Sequence, residues 1–246
     1  MQIIPAFVTQ NKCYQAGAPL TPRGIMLHSV GTPQPSAAVF ARSFNQYQPG
    51  GASVCVHAFA QADGTVYQTL PWEMRGWHCG GSANSTHIGV EMTEPSAGMT
   101  RSEAAEQIAG TYRTVVELFA ELCKQYELDP AQDGVIIGHA EGHRRGVASN
   151  HADPELLWRT YDMGYTMDGF RRDVAEAMKN GAREEALDMP RYDSVAEMPQ
   201  WARAGVQRLI DRGVLSGVGN GKLDLSLDMI RTMIVCQRMV DEQKET

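Results

Sequence analysis

The sequence predicts an α/β protein with a small all-α C-terminal domain, and three observations carry that prediction. Short apolar runs that fit buried strands, at Ile25–Leu27, Ile88–Met92 and Val135–Ile137, are separated by helical patterns, the longest opening at Thr100. A β-rich stretch over 53–69 is broken at Asp63-Gly64, a strong hairpin signal. Beyond about Gly181 the composition turns charged and Pro-containing, and two short helical patterns follow. These shifts divide the chain into a domain over 1–180, a linker over 181–192 and a helical piece over 193–246.

A chain of 246 residues buries a sizeable core and accommodates a medium domain with an appendage. The formal net charge is -7, and basic runs such as Arg144-Arg145 are no longer than two residues, so a nucleic-acid partner is not expected. No segment has the length of a membrane-spanning helix. The start, MQIIPAFVTQNK, lacks the charged opening and long apolar run of a secretory signal, so synthesis in the cytoplasm without membrane contact is expected. Cys13, Cys55, Cys79, Cys123 and Cys236 are odd in number and without CxxC spacing, which suggests buried free thiols and neither a disulfide framework nor a thiolate zinc knuckle.

In chain order, Pro22 and Gly24 punctuate the start of Ile25–Leu27, and His28 stands at its end before Ser29 and Gly31. Strand ends are where open α/β sheets place functional groups, although a lone histidine there reads as a satisfied core residue. Ser36 then caps a short helix carrying Val39, Phe40 and Phe44, ended by Pro49-Gly50-Gly51. In the hairpin, period-two alternation puts Val54, Val56 and Ala58 on one face and Cys55, His57 and Phe59 on the other. His57 is therefore expected to be semi-buried, serving either structure or substrate contact. Trp77-His78-Cys79-Gly80-Gly81 has the composition of a binding loop, which makes Trp77 and His78 candidate substrate contacts.

Glu91 interrupts the apolar strand Ile88–Met92, and an acid in such a place is costly unless paired or needed. The competing reading is an edge-strand glutamate facing water. Thr100 and Glu103 form a capping box, after which Ile108, Tyr112, Val115, Val116, Phe119, Leu122 and Tyr126 recur at helical spacing until Leu128-Asp129-Pro130. Val135–Ile137 is a further buried strand, ending at Gly138-His139 just as the first ends at His28. Two histidines that each terminate an apolar strand meet at one edge of one sheet.

Neutral imidazoles and a carboxylate are ligands for zinc, and a catalytic zinc site takes three protein ligands and leaves the fourth position to water. His28 and His139 supply two. The third is His143, four residues after His139, or Asp153, a hard oxygen donor ahead of Pro154–Trp158, where Pro takes the favoured first helical position. With a metal candidate in hand, Glu91 becomes the leading general base.

After a helix around Phe170–Met178 and the linker, Met198-Pro199-Gln200-Trp201 opens a helix with Trp201, Val206, Leu209 and Ile210 on one face, closed by Gly213. Ser226 caps a second, with Met229, Ile230, Met233, Ile234 and Met239. Gly217–Gly221 is no phosphate cradle, since no strand precedes it.

GIMLHSVG, the hairpin with DGTV, WHCGG, NSTHIGVEM and GHAEGHRRGVASNHADPELLW stand in the order found in zinc-dependent N-acetylmuramoyl-L-alanine amidases of the type 2 amidase and peptidoglycan-recognition superfamily. The chain resembles most the endolysins of phages and prophages of clostridia and related Gram-positive bacteria, in which KCYQAG has a counterpart, and the likeness spans roughly residues 10–178. The resemblance implies a mixed central sheet flanked by helices and a zinc ion on His28, His139 and Asp153. It implies Glu91 as proton shuttle and His151, where many relatives have Lys, as oxyanion support. A Tyr that many phage amidases carry just before the hairpin histidine is Val56 here, which leaves Glu91 as the only obvious shuttle. The implied reaction is cleavage by zinc-activated water of the amide joining the lactyl group of N-acetylmuramic acid to L-alanine, with Trp77 and His78 along the groove. The expected setting is lysis of a Gram-positive host wall.

Residues 193–246 are similar to a single S-layer homology repeat, with Arg231 at its usual arginine but Met233 in place of its glutamate. That likeness implies attachment to a wall polymer. Helices of this size also self-associate, through Trp201, Met229 and Met233. Other functions weighed are a zinc peptidase cutting within the stem peptide and a non-catalytic peptidoglycan-recognition module, which would typically lack a ligand.

Overall fold

The computed structural model describes residues 1–46, 54–188 and 191–242. The chain divides into two compact units, Met1–Asn180 and Gly181–Thr246. The first contains β1 (Gln2–Pro5), α1 (Lys12–Ala16), β2 (Gly24–Ser29), α2 (Ala37–Phe44), β3 (Ala58–Ala60), β4 (Thr65–Gln68), β5 (His87–Met92), α3 (Arg101–Gln125), β6 (Ile136–Gly138), α4 (His139–Arg144) and α5 (Glu155–Thr160). Helix α6 (Met167–Asp188) begins in this unit and runs past its end.

The six strands form one mixed sheet in the order β1-β4-β3-β5-β2-β6. Only β3 and β4 are antiparallel; β1 joins β4, and β3, β5, β2 and β6 run side by side, all in parallel. Strands β2 and β5 sit in the interior of the sheet, and parallel strands covered on both faces read as continuous apolar runs, which is how GIMLHS and HIGVEM are composed. At the hairpin turn, Gly64 adopts φ 86°, and Asp63 Oδ1 accepts from Thr65 N at 2.9 Å. A β-carbon at that φ is strained, which is why Asp-Gly marks the turn.

Residues alternate across β2. Ile25 and Leu27 join Ile88, Val90 and Met92 in the main core, against Ile108, Val115, Leu118 and Phe119 of α3 and Trp158 and Phe170 further on. Each such fully buried side chain contributes roughly 1.5–3 kcal/mol relative to exposure. Thr100 caps α3: its hydroxyl accepts from Glu103 N, and the Glu103 carboxylate accepts from Thr100 N. Met26 joins a separate cluster with Cys79, Ala83 and Ile137, and His28 follows two residues later on the same side of the strand. The chemistry is thus placed on the sheet face opposite α3.

Three local expectations change. The paired strands of the hairpin cover only 58–60 and 65–68, because Cys55 instead exchanges backbone hydrogen bonds with Trp77 and His57 N donates to Gly89 O. Val56 and Phe59 consequently pack in one cluster with Ala37, Phe40 and Phe44, so the strict alternation ahead of Ala58 fails. Where a linker was expected from Gly181, α6 remains helical through Asp188, as suits its run of Ala, Arg, Glu and Leu. The expected Pro49-Gly50-Gly51 helix stop, and Ser53 at the hairpin's start, lie outside the described residues.

Within the second unit, β7 (Arg191–Tyr192) and β8 (Leu225–Ser226) pair antiparallel, which adds a small ribbon to a piece expected to be all helix. Helices α7 (Gln200–Asp211) and α8 (Leu227–Glu242) enclose Met198, Ala202, Val206, Leu225, Ile230 and Ile234. Gly213, at φ 68°, follows the end of α7, and Ser226 Oγ accepts from Met229 N at the start of α8. Trp201 does not share the buried face of α7: it is 51% exposed, and Met229 is 48% exposed. Among the described residues no helix is long and apolar enough to cross a membrane.

Candidate metal centre and groove

The register of the sheet assembles the site. Leu27 pairs with Gly138, so the residues that follow on the two parallel strands, His28 and His139, emerge side by side. On the other flank His28 pairs with Glu91 of β5. At Gly138 the chain turns from β6 into α4, and Glu141 reaches back to accept from Gly138 N at 3.2 Å. Arg171 of α6 braces that turn, donating to both oxygens of Glu141 at 3.0 and 3.1 Å and to the Ile136 carbonyl at 2.8 Å.

His28, His139 and Asp153 converge with one ligand atom each, all within 4.8 Å of one another. The two Nδ1 atoms lie 3.0 Å apart; Asp153 Oδ2 is 3.3 Å from His28 Nδ1, and Oδ1 is 3.6 Å from His139 Nδ1. Both imidazoles are buried, at 1% and 3% exposure. Burial drives His28 below its ordinary value, outweighing the neighbouring Asp153, so it stands neutral. Burial alone would push Asp153 up, but the imidazoles of His139 and His28 beside it prevail and hold the carboxyl well below the usual range. Ser29 N adds a bond to Oδ2 at 3.3 Å. Two imidazoles and an ionised carboxylate aimed at one point are a donor set that fits zinc.

Glu91 is half-buried beside this cluster, and its Oε2 is buried without a hydrogen-bond partner. It is no edge glutamate, since β5 lies between β3 and β2. Burial first, then the charges of Asp153 and Glu94, push its carboxyl well above the ordinary value. His28, Glu91, Glu94, His139, His151 and Asp153 line a groove of about 640 Å³. A second hollow of about 360 Å³ shares His139 and His151 and extends past Trp77, Asn84 and Ser149.

The remaining sequence candidates fall into three groups. His151 is exposed; its ring stacks on that of His139 at 4.5 Å, and its Nδ1 is 3.8 Å from Asp153 Oδ1. Trp77 is half-buried along the second hollow. His143 is exposed on α4 and belongs neither to the three converging residues nor to either hollow's lining. His57, expected to be semi-buried, lines neither hollow, whereas His78 lines both. His57 is fully buried, with Nε2 donating to Met74 O at 2.7 Å and Nδ1 accepting from Gly89 N at 2.9 Å; burial holds its pKa down to about 4. His78 reaches the groove wall, but both its nitrogens are taken, Nδ1 by His28 Nε2 at 2.9 Å and Nε2 by the His87 carbonyl at 3.1 Å. An imidazole whose two nitrogens are both engaged within the fold has none left for a ligand.

Sequence reasoning missed Ser149, whose Oγ is 3.3 Å from His139 Nε2, and Asn84, whose Oδ1 accepts from His78 N and Cys79 N. Neither has a spacing signal, although Asn84 opens a motif already quoted, NSTHIGVEM.

Residues 18–156 match the profile of the N-acetylmuramoyl-L-alanine amidase family. Among solved structures, the chain is similar to the Staphylococcus aureus hydrolase AmiA, at 20% identity and TM-score 0.56, over 72% of this chain and 83% of that one. It is similar to the catalytic domain of XlyA at 22% identity and TM-score 0.52, over 71% of this chain and 99% of that one. A mutant endolysin from Bacillus subtilis matches at 20% identity and TM-score 0.51, with 71% and 99% covered. At such identities these likenesses speak to the fold, a mixed sheet flanked by helices. No curated protein sequence matches the chain.

Proposed function

The chain belongs to the N-acetylmuramoyl-L-alanine amidase family, and from that premise we propose that it is a zinc-dependent peptidoglycan hydrolase which opens the amide between the lactyl group of N-acetylmuramic acid and L-alanine. The observation that carries the reading is the convergence of His28, His139 and Asp153 beside Glu91 in one groove. These three residues would hold the zinc, which supplies a Lewis acid there, lowering the pKa of water and polarising a carbonyl oxygen. Glu91 takes the proton of the attacking water and returns it to the leaving amine nitrogen. Its raised pKa suits the second half of that task, and the positive charge of a bound cation favours the ionised form needed for the first. His151, exposed above His139, donates an N–H to the carbonyl oxygen as negative charge develops on it. With Val56 where many phage amidases carry Tyr, no second acid from that position assists.

Mass spectrometry of digested peptidoglycan tests the reaction. New α-amino groups on L-alanine, with the lactyl carboxylate left on the sugar, are the expected products. Fragments with that amide intact and a cut further along the stem would identify a peptidase, and undigested wall a recognition module.

The second unit is assigned to attachment on a wall polymer, in keeping with its likeness to an S-layer homology repeat, and the whole to a phage or prophage endolysin acting on a Gram-positive wall. Exposed Trp201 and Met229 are the surface through which copies would associate. A chain ending at Asn180 is expected to cleave soluble muropeptides at a rate within about threefold of the full chain, yet to sediment less with intact walls. Unchanged wall binding with lost cleavage of soluble substrate would place the second unit within the catalytic machinery.

A further inference from the structure

Behind the converging donors lies a hydrogen-bonded chain whose proton positions follow from its far end. The His87 carbonyl only accepts, so the His78 Nε2 facing it at 3.1 Å carries a hydrogen. The neutral His78 ring then has a lone pair on Nδ1, which faces His28 Nε2 at 2.9 Å, so His28 Nε2 is the donor of that bond. A neutral His28 is left with its lone pair on Nδ1, the atom turned towards His139 and Asp153. The same logic runs on the other side. Ser149 Oγ donates to the Cys79 carbonyl at 2.9 Å and so accepts from His139 Nε2 at 3.3 Å, leaving the lone pair of His139 on Nδ1 too. Two Nδ1 lone pairs 3.0 Å apart beside a carboxylate repel one another unless a cation lies among them.

The geometry points to His78 as a positioning residue that fixes His28 in the tautomer and orientation able to bind a divalent metal through Nδ1; the inference rests on the zinc reading of the site. What keeps His78 in place is visible around it. Its backbone N donates to Asn84 Oδ1, and its ring meets that of His57 edge-on at 5.9 Å. Gly89 of β5 backs the ring so closely that a β-carbon there would stand 2.4 Å from His78 Cγ. The His78 ring hydrogen-bonds neither the carboxylate nor His139, so it reaches the donor set through His28.

Three variants of the full chain test this by zinc affinity, measured in competition with a chromophoric chelator, beside the melting temperature of the metal-free protein. His78→Phe removes the acceptor, and Gly89→Ala displaces the ring without altering any ligand. Each is expected to weaken zinc about 10–100-fold, the usual consequence of losing an outer-shell partner of a ligating histidine. His78→Asn, whose Oδ1 offers an acceptor near the place of Nδ1, is expected to recover most of that loss. A merely structural His78 would lower the melting temperature in all three and leave zinc affinity within twofold of the parent, which overturns the inference. Equal losses in His78→Phe and His78→Asn overturn it as well. A parent chain that takes up no zinc overturns the metal reading itself.

Discussion

Glu91→Gln is expected to retain fold and zinc while lowering turnover of muropeptides by about 10²–10⁴-fold, the range for a positioned acid–base group. The substitution keeps the shape of the side chain and its place beside His28 in the sheet, so what disappears is the transferable proton. The same variant makes a prediction about stability. Burial raises the Glu91 carboxyl above its ordinary value of 4.5, so the folded metal-free protein binds this proton more tightly than the unfolded chain does. The stabilising contribution is therefore complete below about pH 4.5 and is lost as the pH rises towards the folded pKa. Denaturant melts of metal-free protein at about pH 4 and about pH 8 should show the parent losing more stability across that window than Glu91→Gln. Turnover close to the parent's in Glu91→Gln would hand proton transfer to His151.

Asp153→Ala is expected to empty the metal site. Asp153 is the one anionic donor among the three converging residues, and without it two buried imidazoles face each other with no anionic ligand to balance a divalent cation. The loss in zinc affinity should exceed the ~10–100-fold typical of outer-shell changes, and hydrolysis should fall to background with it. Elemental analysis is expected to give about one zinc per parent chain, close to none for Asp153→Ala, and the parent's value for His143→Ala. The converse, metal retained without Asp153 and lost without His143, would move the third ligand to α4. Chelation should also lower the parent's melting temperature, since a metal held only by the folded state stabilises it by mass action.

The parts of this site that were legible in the sequence are those governed by strand periodicity. His28 and His139 could be matched because each follows a short apolar run, and parallel neighbours in register deliver their next residues to the same place. Asp153 could not be chosen over His143 on spacing alone, since the course of the loop through Ser149 and Asn150 is set by tertiary contacts such as Ser149 N to Cys79 O. The hydrogen-bond partners of His57 and His78 were hidden for a related reason. Alternation made His57 semi-buried and loop composition made His78 a groove residue, whereas the partners that hold their rings, the Met74 carbonyl, Gly89 N and the His87 carbonyl, come from other segments. The overrun of α6 beyond Gly181 was masked by charge, because Arg and Glu serve an exposed helix as readily as a linker.

The brace that Arg171 supplies has a consequence away from the groove. An open sheet ends in two strands with one unpaired side each, and such sides recruit further strands from other chains. Here β6 spends the outward carbonyl of Ile136 on the Arg171 guanidinium, and β1 is four residues long and closes on Pro5, which has no N–H to offer. A neighbouring copy therefore finds little backbone on which to nucleate cross-chain pairing, and the protein is guarded against fibrous aggregation for as long as α6 stays docked on the outer strand.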